Sequence, residues 1–472
     1  MTTRAKELFE ASVDQVRRGQ LRPALGTLLD ALAADPAHAD SLEAAGKICR
    51  MLGAPEEAEL FEALQAAPQD VEALYNLGHR LVDQTRPDVA VALFQRGLAG
   101  HPDTFQGLAL QRELAFAQYV RRDFEGCLRT LAALERDGRD LLSETELLDS
   151  GLLAAEAALY LGRRDVALHF LDEAEARVPD DGQRARLDAL HALLGRASHW
   201  DDLETADLRA WHFIQHGGVI LKTAGGYFED GSRAGRFDVL DLRADMVAFL
   251  LERLAGLIER LELEVEVVAP TGPVAAPLAH ALAARLGAEA VKDIVGREGR
   301  PTLLVAANAG ELEPLCAGLA KHRPDLHVFA LNLDWSRDAA VLPDVAGILS
   351  QRAFLPWEER YAMDPDTKAM RSLPADERPP AVLGAELAEL MTRLPDDGGQ
   401  ARDEFEAVYL PLAEELVLGN DVRYPNRRQF THISPCWTPV ARNAGSTGGP
   451  GGGPGRDPRD EPDDDGGPTA AF

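Results

Sequence analysis

Over the first two-fifths of the chain, apolar residues recur three and four positions apart, in blocks of about 13 to 16 residues separated by short polar or glycine-bearing turns. That period is the signature of amphipathic helices, and the blocks come in pairs. In the best-formed pair, Val71 to Pro102, one face of a first helix carries Leu74, Leu77, Gly78 and Leu81. Ala90, Phe94, Gly97 and Pro102 punctuate a second. A small residue at the eighth place lets two antiparallel helices approach closely, where a large one would hold them apart. Four further pairs align on their small residues. Ala5–Pro36 has Gly19 at its turn with Ala24 and Ala31. Ala39–Pro68 has Gly46, Gly53 and Ala58, and is about two residues short, which predicts a trimmed second helix. Leu108–Asp140 has Ala115, Tyr119, Phe124 and Cys127. Leu148–Pro179 has Ala155, Leu159, Gly162, Ala167, Ala174 and Pro179. Asp181 to Gly195, with Ala185, Leu187, Leu190 and Leu194 on one face, suits a capping helix.

These spacings resemble the tetratricopeptide (TPR) repeat, and the resemblance covers roughly 180 residues. It implies an α-solenoid of helical hairpins in which each hairpin buries its apolar face against its neighbours, and a groove lined by the first helices that binds other chains. Groove positions project Lys6, Phe9 and Val13 from the first hairpin, Lys47 and Arg50 from the second, Tyr75 and His79 from the third, and Arg112 and Tyr119 from the fourth. Basic and aromatic groups meeting there would grip an acidic or C-terminal peptide. A solvated helix face is the competing reading. The lysine and asparagine set with which chaperone-binding TPR proteins hold a terminal carboxylate is not present.

After Trp200 the period changes. Val265–Ala269, Thr302–Ala306, His327–Leu331 and Val345–Leu349 read as short buried strands. An Ala/Leu-rich helix, Ala275–Leu286, ends at Gly287, and a second helix runs from Asn308-Ala-Gly310 to about His322. Strands apolar throughout and alternating with helices predict an α/β domain with a mostly parallel, doubly wound sheet. Ligands of such sheets sit at the carboxyl ends of the strands. This makes Thr271, Gly272, Asn308 and Gly310 the candidate ligand loops, although neither a full G-x-G-x-x-G nor a Walker lysine is there.

The order strand, Pro-Thr-Gly-Pro, "PLAHALAARLG", strand "TLLVAANAG" resembles a type I phosphoribosyltransferase. In that family the second strand ends in two acids that hold the ribose hydroxyls. Ala306 and Ala307 stand in those places, and Asn308-Ala309-Gly310-Glu311 replaces the phosphate loop. The resemblance therefore implies the fold and argues against the activity. No catalytic residue is assigned.

The expected organisation is a TPR-like array over 1–198, the α/β domain over 199–440, and a disordered Gly/Pro/Asp tail over 441–472, which has too little apolar content to offset its ordering entropy. A net charge of −29 disfavours nucleic acid and anionic membranes. No apolar run is long enough to span a bilayer and no leader precedes the first helix, so a cytoplasmic location is expected. Cys49, Cys127, Cys316 and Cys436 form no C-x-x-C pair. His212 and His216 lie four apart but lack the glutamate of a zinc motif, and no metal or cofactor is expected. The polar loop Phe228–Phe237 pairs no acid with a nucleophile. Arg423–Phe430 and His432–Trp437 form a basic, aromatic stretch that suits packing across its own domain better than stacking on bases. Taken together the chain reads as an interaction scaffold with a protein or peptide partner. The alternative is an enzyme or sensor whose α/β domain takes a nucleotide or phosphorylated metabolite.

Overall fold

The computed structural model describes residues 2–100, 105–177, 180–201, 203, 208–223, 239–295, 299–312, 326–334, 342–363 and 370–394. The expected helix to His322, the loop 228–237, the basic stretch, the tail, Cys316 and Cys436 lie outside or largely outside these residues.

Five helical hairpins come first: α1 (Thr3–Arg17) with α2 (Leu21–Ala34), α3 (Ala39–Met51) with α4 (Pro55–Ala66), α5 (Val71–Asp83) with α6 (Pro87–Gly100), α7 (Phe105–Val120) with α8 (Phe124–Gly138), and α9 (Glu144–Tyr160) with α10 (Arg164–Glu175). A single helix, α11 (Asp181–Ala197), follows. Local chemistry sets their ends. Asp70, Asp123, Ser143 and Asp180 each accept a backbone N–H at a helix start, and Ser143–Glu146 and Asp180–Gln183 are reciprocal capping boxes. Gly19, Gly53 and Gly162 take positive φ at the hairpin turns, a conformation that costs glycine least.

The small residue at the eighth place does what its size predicts. A Cβ built on Gly78 would fall 2.4 Å from Phe94 Cε1, so α5 and α6 cross at glycine contact. The short second repeat has a consequence the spacing did not reveal. α4 is a 12-residue helix, and α2 packs directly on α6, with Arg86 of the third hairpin bonded to Asp30 (2.7 Å) and Arg96 to the Pro36 carbonyl (2.6 Å) of the first. The first three hairpins therefore share one core, with Leu28, Leu42, Leu74, Leu93 and Phe94 inside it. α7 is apolar on two faces. It gives Leu110 and Leu114 to that core, and Leu108, Ala115 and Tyr119 to a second core built with α8–α11.

Next, α12 (Leu208–His216) leads into β1 (Val219–Thr223). Then come β2 (Val239–Asp241), α13 (Ala244–Arg260), β3 (Val267–Pro270), α14 (Ala276–Leu286), β4 (Glu289–Ala290), β5 (Thr302–Asn308), a 3-10 turn (Ala309–Leu312), β6 (Leu326–Asp334), β7 (Val345–Ser350), β8 (Arg352–Phe354), β9 (Arg360–Met363), β10 (Met370–Leu373) and α15 (Pro380–Arg393). Among the described residues, six strands form a parallel sheet in the order β1-β7-β6-β5-β3-β4. β2 pairs with β8 and β9 with β10 in two small separate ladders. Helices α13, α14 and α15 cover one face over Leu251, Leu278, Leu303, Phe329 and Leu331, while Ile220, Leu304, Ala330 and Ala346 are buried on the other. From β3 to β7 the order is that of the 2-1-3-4-5 doubly wound fold, and β1 extends it at one edge. Of this sheet the sequence reading missed β1, whose apolar run carries Lys222, and the two-residue β4; it also missed the short strands β2, β8, β9 and β10.

Candidate functional site

In the structure the first helices α5, α7 and α9 stand side by side and are tied together through groove candidates. The Tyr75 hydroxyl donates to Glu113 at 3.5 Å and its ring stacks on His79 at 6.1 Å. Arg112 bridges to Glu146 at 2.8 Å and lies 3.8 Å from Glu113. The remaining candidates are satisfied locally. Lys6 pairs with Glu10 at 3.9 Å and Lys47 with Glu43. Arg50 makes a bidentate pair with Glu62 at 2.8 and 2.6 Å, and His79 lies 3.7 Å from Asp83. Phe9 is partly buried against the ring of His38 at 5.5 Å. Every basic group expected to attract an acidic peptide thus has a carboxylate of its own, and the face presents little net positive charge.

That same face carries exposed apolar side chains. Of the exposed large hydrophobic residues of the array, Val16, Met51, Leu52 and Phe116 lie on or directly after first helices, whereas Leu141 follows α8 and Leu168 lies on α10. Phe116, 44% exposed, occupies in the fourth repeat the place His79 holds in the third, so the repeat alignment that found His79 could have found it.

Tyr119 is a correction. It is 4% exposed, packed against Phe124 of α8 at 5.7 Å and Tyr160 of α9 at 6.4 Å. There Glu156, also 4% exposed, is hydrogen-bonded by Tyr119 and Tyr160, with Arg186 at 3.9 Å and Gln215 donating to the Tyr160 hydroxyl at 3.3 Å. Burial raises the Glu156 carboxyl above its usual range, outweighing Arg186 and the two hydroxyls. Arg196, itself buried, caps α12 by donating to the carbonyls of Ile214 (2.9 Å) and Gln215 (3.4 Å), two of the acceptors a helix end leaves open. α12 thereby belongs to both halves: Trp211 and Ile214 enter the array's second core and Phe213 the sheet's. His212 and His216 are buried side by side here, ring centroids 5.1 Å apart, with His212 against Gly218.

In the α/β domain the candidate loops converge at the switch point of the sheet, between the carboxyl ends of β3 and β5, where strand order reverses. Gly272 and Gly310 border open space. The groups that occupy the crevice are acidic and amide. Glu311 accepts the Thr271 hydroxyl at 2.6 Å and the Ala307 amide at 3.3 Å, so a carboxylate takes the donors that a phosphate would need. Asn308, Asn332 and Ser350 form a hydrogen-bonded row across the ends of β5, β6 and β7 at 3.1 and 2.7 Å. Nearby, Trp357 donates to the Val274 carbonyl at 2.9 Å, and Glu358 accepts the Leu355 amide at 2.7 Å. Burial, with the charge of Glu311 adding to it, holds Glu358 above the usual carboxylate range. Glu311 and Glu358 were not singled out from sequence. Glu311 stands in the replaced phosphate loop and was legible there, whereas Glu358 is brought in by the turn after β8. Ala306 and Ala307 are buried in the sheet. Among the described residues no group of three or more His, Cys, Asp or Glu side chains could hold a metal ion.

No protein-family model matches the chain, and no curated protein matches it. Among solved structures the neighbours are TPR proteins. PilW, a type IV pilus biogenesis factor, is 17% identical over 42% of this chain and 88% of that chain, with a TM-score of 0.27. YrrB, described as a TPR protein with an unusual peptide-binding site, is 21% identical over 39% and 89%, with a TM-score of 0.25. PilF of Pseudomonas aeruginosa is 17% identical over 41% and 84%, with a TM-score of 0.25. The assignment of stacked helical hairpins rests on the chain's own packing.

Proposed function

We propose that the protein is a cytoplasmic interaction scaffold whose TPR-like array engages a protein partner through the first-helix face, beside an α/β domain that is not catalytic. One observation carries this reading: the exposed apolar side chains Val16, Met51, Leu52 and Phe116 fall on the first helices, while the charges around them are already paired. Such a face suits a segment with apolar anchors and mixed polar flanks, since desolvating self-neutralised pairs gains little from an acidic ligand. The test uses the full chain carrying Met51→Glu and Phe116→Glu. The principal copurifying protein should fall at least tenfold relative to wild type, with unchanged far-UV circular dichroism. Undiminished recovery would put the partner surface elsewhere.

A second reading keeps the switch-point crevice as a small-molecule site. The Glu311 carboxylate on Thr271 and the amide row of Asn308 and Asn332 favour a polyhydroxylated or cationic ligand over a phosphorylated one.

A further inference from the structure

A second, independent surface lies on the other side of the fifth hairpin, in a cleft between α8, α9 and α10. Its origin is a single position. The fourth place of the aligned repeat is Leu8, Leu42 and Leu74 in hairpins one to three and Gln111 in the fourth, but Gly151 in the fifth. A Cβ built on Gly151 would meet nothing closer than the Phe170 carbonyl oxygen at 3.9 Å. The missing side chain leaves a shallow cleft, walled by Leu131, Leu134, Leu147 and Phe170 and rimmed by Glu135, Glu173 and Arg177. The Ser150 hydroxyl in its wall is buried and makes no hydrogen bond.

We propose that the chain's own segment 423–437 docks in this cleft. Charge selects it. Residues 1–198 hold eleven more acids than bases, whereas residues 422–456 hold five arginines and no acid, the basic stretch of a chain whose net charge is −29. Shape selects it as well: Tyr424, Phe430 and Trp437 supply rings for apolar walls, and Arg427 and Arg428 supply forks for the rim carboxylates. Glu135 and Glu173 have exposed partners to give up, Arg139 at 3.3 Å and His169 at 3.9 Å. Reach is no obstacle, since the 28 residues between Leu394 and Arg423 span up to about 95 Å when extended. Tethering supplies an effective concentration of about 1 mM, so a contact with Kd of about 0.1 mM would be closed about nine-tenths of the time.

The experiment is limited trypsinolysis of the full chain, following cleavage at Arg427 and Arg428 by mass spectrometry. In wild type these sites should be cut at least tenfold more slowly than in Gly151→Leu, which places there the leucine that hairpins one to three carry. A synthetic peptide of residues 421–439 added in trans should release the protection. Equal rates in the two proteins, or rapid cutting in wild type, would overturn the proposal. If Gly151→Leu loses its far-UV spectrum, the triple variant Tyr424→Ser, Phe430→Ser, Trp437→Ser leaves the cleft intact and must lose protection as well; retained protection there overturns the proposal. Protection that rises with protein concentration together with a dimer in sedimentation would assign the cleft to a second copy and overturn docking within one chain.

Discussion

Gly46 and Gly78 hold the same repeat place, yet the structure gives alanine opposite effects at the two. At Gly46 an added Cβ would find its nearest neighbours, the Ala58 carbonyl, Glu62 Cγ and Phe61 Cβ, at 3.5 Å, which is ordinary contact. At Gly78 it would lie 2.4, 2.6 and 3.1 Å from three atoms of the Phe94 ring, which is fully buried and must move by about 1 Å to reach normal contact. Both substitutions gain about 1 kcal/mol of helix propensity. Only Gly78→Ala bears an overpacking penalty, about 1–3 kcal/mol. Gly46→Ala should therefore stabilise by about 0.5–1 kcal/mol, and Gly78→Ala should destabilise by up to about 2. Hydrogen exchange by mass spectrometry on the full chain reads each locally and avoids a single unfolding free energy for a chain of several parts. Amides of α5 and α6 should exchange faster in Gly78→Ala, and those of α3 and α4 more slowly in Gly46→Ala. Combining Gly78→Ala with Phe94→Leu should recover at least about 1 kcal/mol beyond additivity. If Gly78→Ala protects α5–α6 as Gly46→Ala protects α3–α4, close packing is not what the eighth place encodes.

Three further outcomes follow from the same geometry. Arg196→Met should open α12 by about 2–3 kcal/mol, since buried carbonyls lose a charged donor, with faster exchange of α12 amides and little change in α1–α6. Glu156 has a raised carboxyl in the fold, so the stability it lends is present below the ordinary carboxylate range and is lost as pH rises through its folded value. Glu156→Gln should match wild type in thermal melts near pH 4 and exceed it increasingly at higher pH. Calorimetric titration with phosphoribosyl pyrophosphate or nucleotides plus magnesium should give no heat above dilution, and a micromolar site abolished by Thr271→Ala would reinstate the phosphorylated-ligand reading. The last test concerns the crevice alone and leaves the array's role untouched.

Much of this fold was legible along the chain because its determinants are local. Each hairpin carries its own period, its small residue at the crossing and its capping oxygen, so α1–α11 can be read residue by residue, and β3, β5, β6 and β7 announce themselves as short apolar runs. The groove residues are another matter. Sequence places Lys47, Arg50 and Arg112 on first helices, but whether such a side chain is available depends on the acid that folding brings beside it: Glu43 one turn away, Glu62 twelve residues on and Glu146 thirty-four residues on. Tyr119 was misplaced for a related reason, because Glu156 and Tyr160, which bury it, lie about 40 residues later.

What the sequence determined by itself is the sequence of elements: helices in pairs, a short second repeat, then a parallel α/β sheet. Tertiary structure alone decided that α2 reaches α6, that α12 joins both cores, that Glu311 sits on the Thr271 hydroxyl, and that Gly151 opens a cleft. The division has a physical cause. Periodicity and capping are set by neighbours within a turn or two, while burial, charge pairing and open space depend on contacts between distant segments, whose energies become defined only once the chain has closed around them.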